Sequence, residues 1–168
     1  MPTDMTAMKD IRFTEQVTFR LPADWIETME DGLGLFQPAR PDSGSLRVTT
    51  EVMEAASDLP ATTRSLLVQT AERFVRADDP RGHDRMVEEI DDGGIFASFN
   101  ARTVIDGANV MIYLWLRGRT SGRRVTVALF SYVLPAERDG EVPFVDTVAM
   151  LDREIRDARI LDPENRRD

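Results

Sequence analysis

Val110-Met111-Ile112-Tyr113-Leu114-Trp115-Leu116, together with Val125 to Leu134 (VTVALFSYVL), decides the fold. A strand with one wet face alternates apolar and polar residues, and the first stretch does not: Met111, Tyr113 and Trp115 fall on one face and Ile112, Leu114 and Leu116 on the other. In the second stretch Val125, Val127, Leu129 and Val133 face one way, and Ala128, Phe130, Tyr132 and Leu134 the other. Both segments are far shorter than the roughly 20 apolar residues of a membrane helix. They read as central strands of a sheet covered on both sides, joined by a turn at Thr120-Ser121-Gly122.

Working outward, Ile95 to Ile105 precedes this pair across Asp106-Gly107-Ala108-Asn109, and Met86 to Ile90 precedes that strand across Asp91-Asp92-Gly93-Gly94. Asp-Gly between apolar segments signals a tight hairpin, because the turn needs positive φ. The chain from Met86 onward is therefore an antiparallel meander. Upstream, Leu66, Leu67, Thr70, Ala71, Phe74 and Val75 form a helical stripe between Thr62 and Arg76. Pro60 suits a first helical position and Asp58 offers a capping carboxylate. The charges Arg64, Glu72 and Arg73 on the far side read as a solvated face.

Further upstream, Val17, Phe19 and Leu21 alternate with Thr18 and Arg20, and Pro22-Ala23-Asp24 ends that strand before Trp25 returns a large ring to the core. Leu33 to Phe36 and Leu46 to Val52 supply two more strands, with Gln37 to Ser45 as a surface loop. A last helix starts near Pro143 and carries its docking stripe on Phe144, Val148, Leu151, Ile155 and Ala158. The expected fold is α+β: a largely antiparallel sheet of six or seven strands with one helix on each face, an α/β/α sandwich over residues 11–161. Residues 1–10 are expected to be flexible and 162–168, with no apolar side chain, to be a mobile tail. Two helices are little cover for so wide a sheet, so part of one face is expected to be bare and closed by a homodimer.

Composition narrows the function. The chain has 168 residues, of which 42% are apolar, no cysteine, one histidine and a net charge of −9. Without cysteine there is no disulfide, thiolate metal site or cysteine nucleophile. His83 lies among the turn formers Asp79-Pro80-Arg81-Gly82-His83-Asp84, an exposed loop, so no catalytic, cofactor or metal site is expected around it. Glu88-Glu89 and Asp91-Asp92 pair carboxylates, but neighbours on a strand point to opposite faces and Asp-Asp-Gly-Gly is turn chemistry. The acidic balance disfavours nucleic acid and anionic membranes. Met1 to Asp10 contains no apolar run of a secretory signal, which predicts a cytoplasmic protein.

One polar cluster stands against the average charge: Arg117, Arg119, Arg123 and Arg124 flank the Thr120-Ser121-Gly122 turn. Alternation brings Arg117 and Arg119 to one face with one of the other two across the hairpin, and guanidinium forks suit carboxylate or phosphate. This is the expected partner-binding element. A pocket between sheet and helix, built around Met111, Tyr113, Trp115, Phe130 and Tyr132, is the alternative, making the chain a small-ligand carrier or an enzyme.

The passage Val17-Thr18-Phe19-Arg20-Leu21-Pro22-Ala23-Asp24-Trp25, with the order of elements that follows it, resembles the opening of the PsbP-like, Mog-like and DcrB-like superfamily. The resemblance extends over residues 11 to 160 and rests on Leu21-Pro22-x-x-Trp25 plus element order. It implies an α/β/α sandwich on a largely antiparallel sheet and a chiefly non-enzymatic role: a protein-binding or chaperone-like module, associated with bacterial secretion or assembly. No functional residue is carried over, because Pro22 and Trp25 read as structural.

Overall fold

The computed structural model describes residues 7–40, 43–76, 81–90 and 93–161. Strands β1 (Met8–Phe13), β2 (Val17–Pro22) and β10 (Arg159–Ile160) make a small antiparallel sheet with β2 in the middle. Strands β3 (Ile26–Glu30), β4 (Leu33–Gln37), β5 (Ser45–Glu54), β6 (Gly82–Glu89), β7 (Ile95–Ile105), β8 (Ala108–Ser121) and β9 (Arg124–Pro135) form the large sheet in the order β3-β4-β5-β9-β8-β7-β6. Every neighbouring pair in it is antiparallel. Helix α1 (Pro60–Val75) connects β5 to β6, and α2 (Val142–Arg156) connects β9 to β10.

The doubly apolar strands β8 and β9 lie side by side near the centre, with Trp115 opposite Phe130 and Leu116 opposite Leu129. Their neighbours are fixed by turn chemistry. Asp106 and Gly107 both adopt positive φ, at 50° and 79°, the conformation a two-residue loop needs to match strand twist. Asp31 and Gly32 repeat the device between β3 and β4. Gly122, at φ 57°, opens the Gly122-Arg123 loop of the β8–β9 hairpin.

The two faces of the large sheet are covered differently. On one, Phe36, Leu46, Val48, Trp115, Phe130 and Tyr132 pack against Ile11, Phe13, Phe19 and Leu21 of the small sheet and against Phe144, Leu151 and Ile155 of α2. Phe19 meets Phe36 and Phe130 edge-on at centroid separations of 5.7 and 5.3 Å. Trp25, 6% exposed, belongs to this cluster. On the other face α1 lays Leu67, Ala71 and Val75 over Ile95, Ala97, Leu116, Val125 and Val127. Gly118 sets how near the helix comes, since a Cβ there would lie 2.6 Å from Leu67 Cδ1.

The sheet-and-helix sandwich is as expected, with seven strands in the large sheet. The second, small sheet was not expected. It corrects one reading, since residues 8–10 begin β1 rather than a flexible lead, and it covers the centre of the face bearing Trp115 and Phe130. His83 is exposed, but on a strand: β6 starts at Gly82 and bulges between His83 and Met86, with Asp84 at φ 53°. Asp58 does not cap α1. Leu59 holds the cap position, and its N–H donates to Ser57 Oγ. Residues 1–6, the tail 162–168 and the turn residues Asp91-Asp92 lie outside the described residues.

Candidate functional site

The structure separates the four hairpin arginines. Arg117 is 3% exposed, and its guanidinium donates to the carbonyls of Ala158, at 2.8 Å, and Ile95. It ties β8 and β7 to the chain entering β10, so as a surface recognition group it is corrected to a structural one. Arg123 lies at the turn, where Nε and a terminal nitrogen donate to the Ala55 carbonyl at 3.2 and 3.0 Å while the Ala55 N–H donates back to the Arg123 carbonyl. Arg119 is exposed and Arg124 half-buried. Arg119 pairs with Thr126 and Arg124 with Ser121, so the two occupy diagonal positions on one face of the hairpin end. Sequence alternation placed that pair correctly; it could not tell that Arg117 lies far enough from the turn to be roofed over.

The aromatic set Met111, Tyr113, Trp115, Phe130 and Tyr132 is packed into the core. Four of them are buried, and Tyr113 is half-buried against the same core. Their polar atoms are already engaged: Trp115 Nε1 donates to Asp152 Oδ1 at 3.1 Å, Tyr113 Oη to Asp139 Oδ1, and Tyr132 Oη to the Ser43 carbonyl at 2.6 Å. Burial pushes the Tyr132 phenol up to about 12. Burial, then the bond to Asp139, raises Tyr113 as well. Gly44 abuts the Tyr132 ring at φ 79°, so a side chain there would collide with the phenol.

A groove of about 440 Å³ opens instead on the opposite face, between the C-terminal end of α1 and β7 and β8. Phe74, Phe99, Ile112 and Leu114 supply its apolar lining, with the two phenyl rings edge-on at 5.3 Å. Arg73, Arg76 and Arg81 line its rim. α1 ends here because Arg76 turns into the left-handed region, at φ 44°, and Arg85 Nε donates to the Val75 carbonyl at 3.0 Å. The sequence puts Arg73 on a solvated helix face, Arg76 at the helix end and Arg81 in an exposed loop of turn formers, with no site at any of them. The available signal was arginines on both sides of the helix stop, next to a Phe74 at the edge of the apolar stripe.

A polar recess of about 590 Å³ lies between the small sheet and α2. Its buried carboxylate, Glu154, is taken by Arg20 in a two-pronged pair at 3.1 and 3.2 Å. Among the described residues no three His, Asp or Glu side chains are grouped to hold a metal ion, and no helix is long and apolar enough to cross a membrane.

No family model and no curated protein matches the sequence. Solved structures do match the fold. A crystal structure from Bacteroides thetaiotaomicron superposes with a TM-score of 0.59 at 15% identity, over 96% of this chain and 51% of that one, so this chain spans about half its length. LpqN of Mycobacterium tuberculosis, described as involved in cell envelope biogenesis, gives 0.57 at 12% identity over 93% of this chain and 91% of its own. The Saccharomyces cerevisiae Ran-binding protein Mog1p gives 0.55 at 11% identity over 95% and 98%. With its opening strand, Leu21-Pro22-x-x-Trp25 passage, antiparallel seven-stranded sheet and C-terminal α2, the chain has the PsbP-like, Mog-like and DcrB-like fold.

Proposed function

We propose that this chain is a non-enzymatic binding module that docks another protein through the end of its β8–β9 hairpin. The observation that carries the reading is the pair Arg119 and Arg124 on one face of that end, beside Arg123, in a chain of net charge −9. Neither is ion-paired among the described residues. Such a positive tip suits a partner surface rich in carboxylate or phosphate. The Ran-binding fold neighbour supports a protein partner by analogy of fold alone. A cytoplasmic, chaperone-like role in secretion or assembly belongs to the same proposal.

The test is co-purification of partner by the wild-type chain and by the Arg119→Gln/Arg124→Gln variant. With no ion pair to lose at either position among the described residues, the variant keeps its melting temperature while capture falls and the wild-type capture weakens with salt. Equal capture by both proteins rejects the hairpin. A homodimer is a separate arm, read by sedimentation: a 19 kDa species at all concentrations rejects it.

A second reading, a small-ligand carrier, is favoured by one observation: the groove between α1 and the large sheet.

A further inference from the structure

We infer that the groove at the end of α1 receives a fatty acid: a single alkyl chain lying on Phe74, Phe99, Ile112 and Leu114 with its carboxylate at Arg73 and Arg76. The inference rests on the carrier reading and adds the chemical class of the ligand. Three features of the groove carry it. Its lining holds aliphatic and phenyl side chains, with Ala101 and Thr103 beside them, so whatever lies against it is mostly hydrocarbon; a polar ligand body would lose its water without gaining partners. Its volume of about 440 Å³ falls within the roughly 300–1,000 Å³ of small-molecule pockets.

The third feature is charge. Arg73, Arg76 and Arg81 border the groove and no acidic residue is among its described lining, although acids outnumber bases 30 to 21 in the whole chain. Arg73 and Arg76 are exposed, and neither is ion-paired among the described residues. Arg102 also borders the groove, but it falls in register with Met111 on the other face and is not counted in the rim. An anionic head at this rim gains charge-assisted hydrogen bonds, whereas a cationic head meets like charge.

Calorimetric titration with sodium decanoate, decan-1-ol and decylammonium, all below their micellar concentrations, tests the inference. Decanoate is expected to bind at one per chain and more tightly than either of the others, and acetate not to compete. Arg73→Gln/Arg76→Gln is expected to weaken decanoate about tenfold, equivalent to about 1.4 kcal/mol, with an unchanged melting temperature. Leu114→Asn is expected to abolish binding. Equal affinity for decanoate and decanol, with no effect of the arginine variant, overturns the anionic class and leaves the carrier reading standing. No binding by any of the three overturns both. Self-association of the unliganded chain that Leu114→Asn abolishes assigns the groove to a second copy and overturns the inference as well.

Discussion

The two faces of the large sheet start from similar sequence and end differently. Both sides of β8 and β9 are rich in apolar residues, yet the face with Trp115, Phe130 and Tyr132 is closed by three strands and a helix. The face with Leu116, Val125 and Val127 receives α1 alone, and Ile112 and Leu114, which line the groove at the helix end, remain half-buried. The difference comes from length. A helix rises about 1.5 Å per residue, so the 16 residues of α1 span roughly 24 Å. β8, at 14 residues and about 3.4 Å each, runs nearly twice as far. What α1 cannot reach becomes the groove, whereas the small sheet and α2 together bury the centre of the other side, where Val52, Met86 and Val104 stay exposed. Apolar patterning announces that cover is needed without saying how much of it the chain supplies.

Truncation on the two faces should separate them most widely. Phe130→Ala or Trp25→Ala removes an aromatic ring from the closed core and is expected to cost about 3–5 kcal/mol in urea unfolding. Leu114→Ala, on the half-open face, is expected to cost about 1 kcal/mol, since only part of its surface is withdrawn from water. Equal losses would mean that the α1 face is as closed as the other.

Arg117 sharpens the comparison at one residue, because it seals the closed face from within. Arg117→Met keeps the apolar stem and removes hydrogen bonds to the Ala158 and Ile95 carbonyls. A loss of about 1–3 kcal/mol is expected, against almost none for the exposed Arg119→Met.

A smaller effect is expected in alkali. The Tyr132 phenol is held neutral by burial, with its pKa moved from 10.0 to about 12. A group whose folded pKa is raised stabilises fully below its unfolded value, so this contribution is intact below about pH 10 and is lost as pH climbs towards 12. Tyr113 moves in the same direction and adds to the slope. Tyr113→Phe should flatten the decline of melting temperature between pH 10 and 12, and an unchanged decline would place the loss elsewhere.

Much of the fold was legible because its signals are local. The two-sided apolar runs gave β8 and β9, Asp106-Gly107 gave their hairpin partner, and stripes at three- and four-residue spacing gave both helices. β1 and β3 escaped because Lys9 next to Asp10, and Glu27 and Glu30 three apart, break the period-two alternation of MKDIRF and IETME, and their pairing with β2 and β4 supplies what propensity does not. β10 is two residues long and exists through its register with β2. The site was harder to read. Clustering in sequence drew attention to Arg117, which tertiary packing buries, and away from Arg73 and Arg76, which become neighbours of Ile112 and Leu114 only when α1 docks.

The most direct test of an open face set against a closed one is chemical-shift mapping of the labelled chain during a decanoate titration. Shifts are expected to concentrate on Phe74, Phe99, Ile112 and Leu114, with the Trp115 indole N–H, bonded to Asp152 on the closed face, left in place. Perturbation centred on Trp115, Phe130 and Tyr132 with Leu114 unmoved would contradict the account.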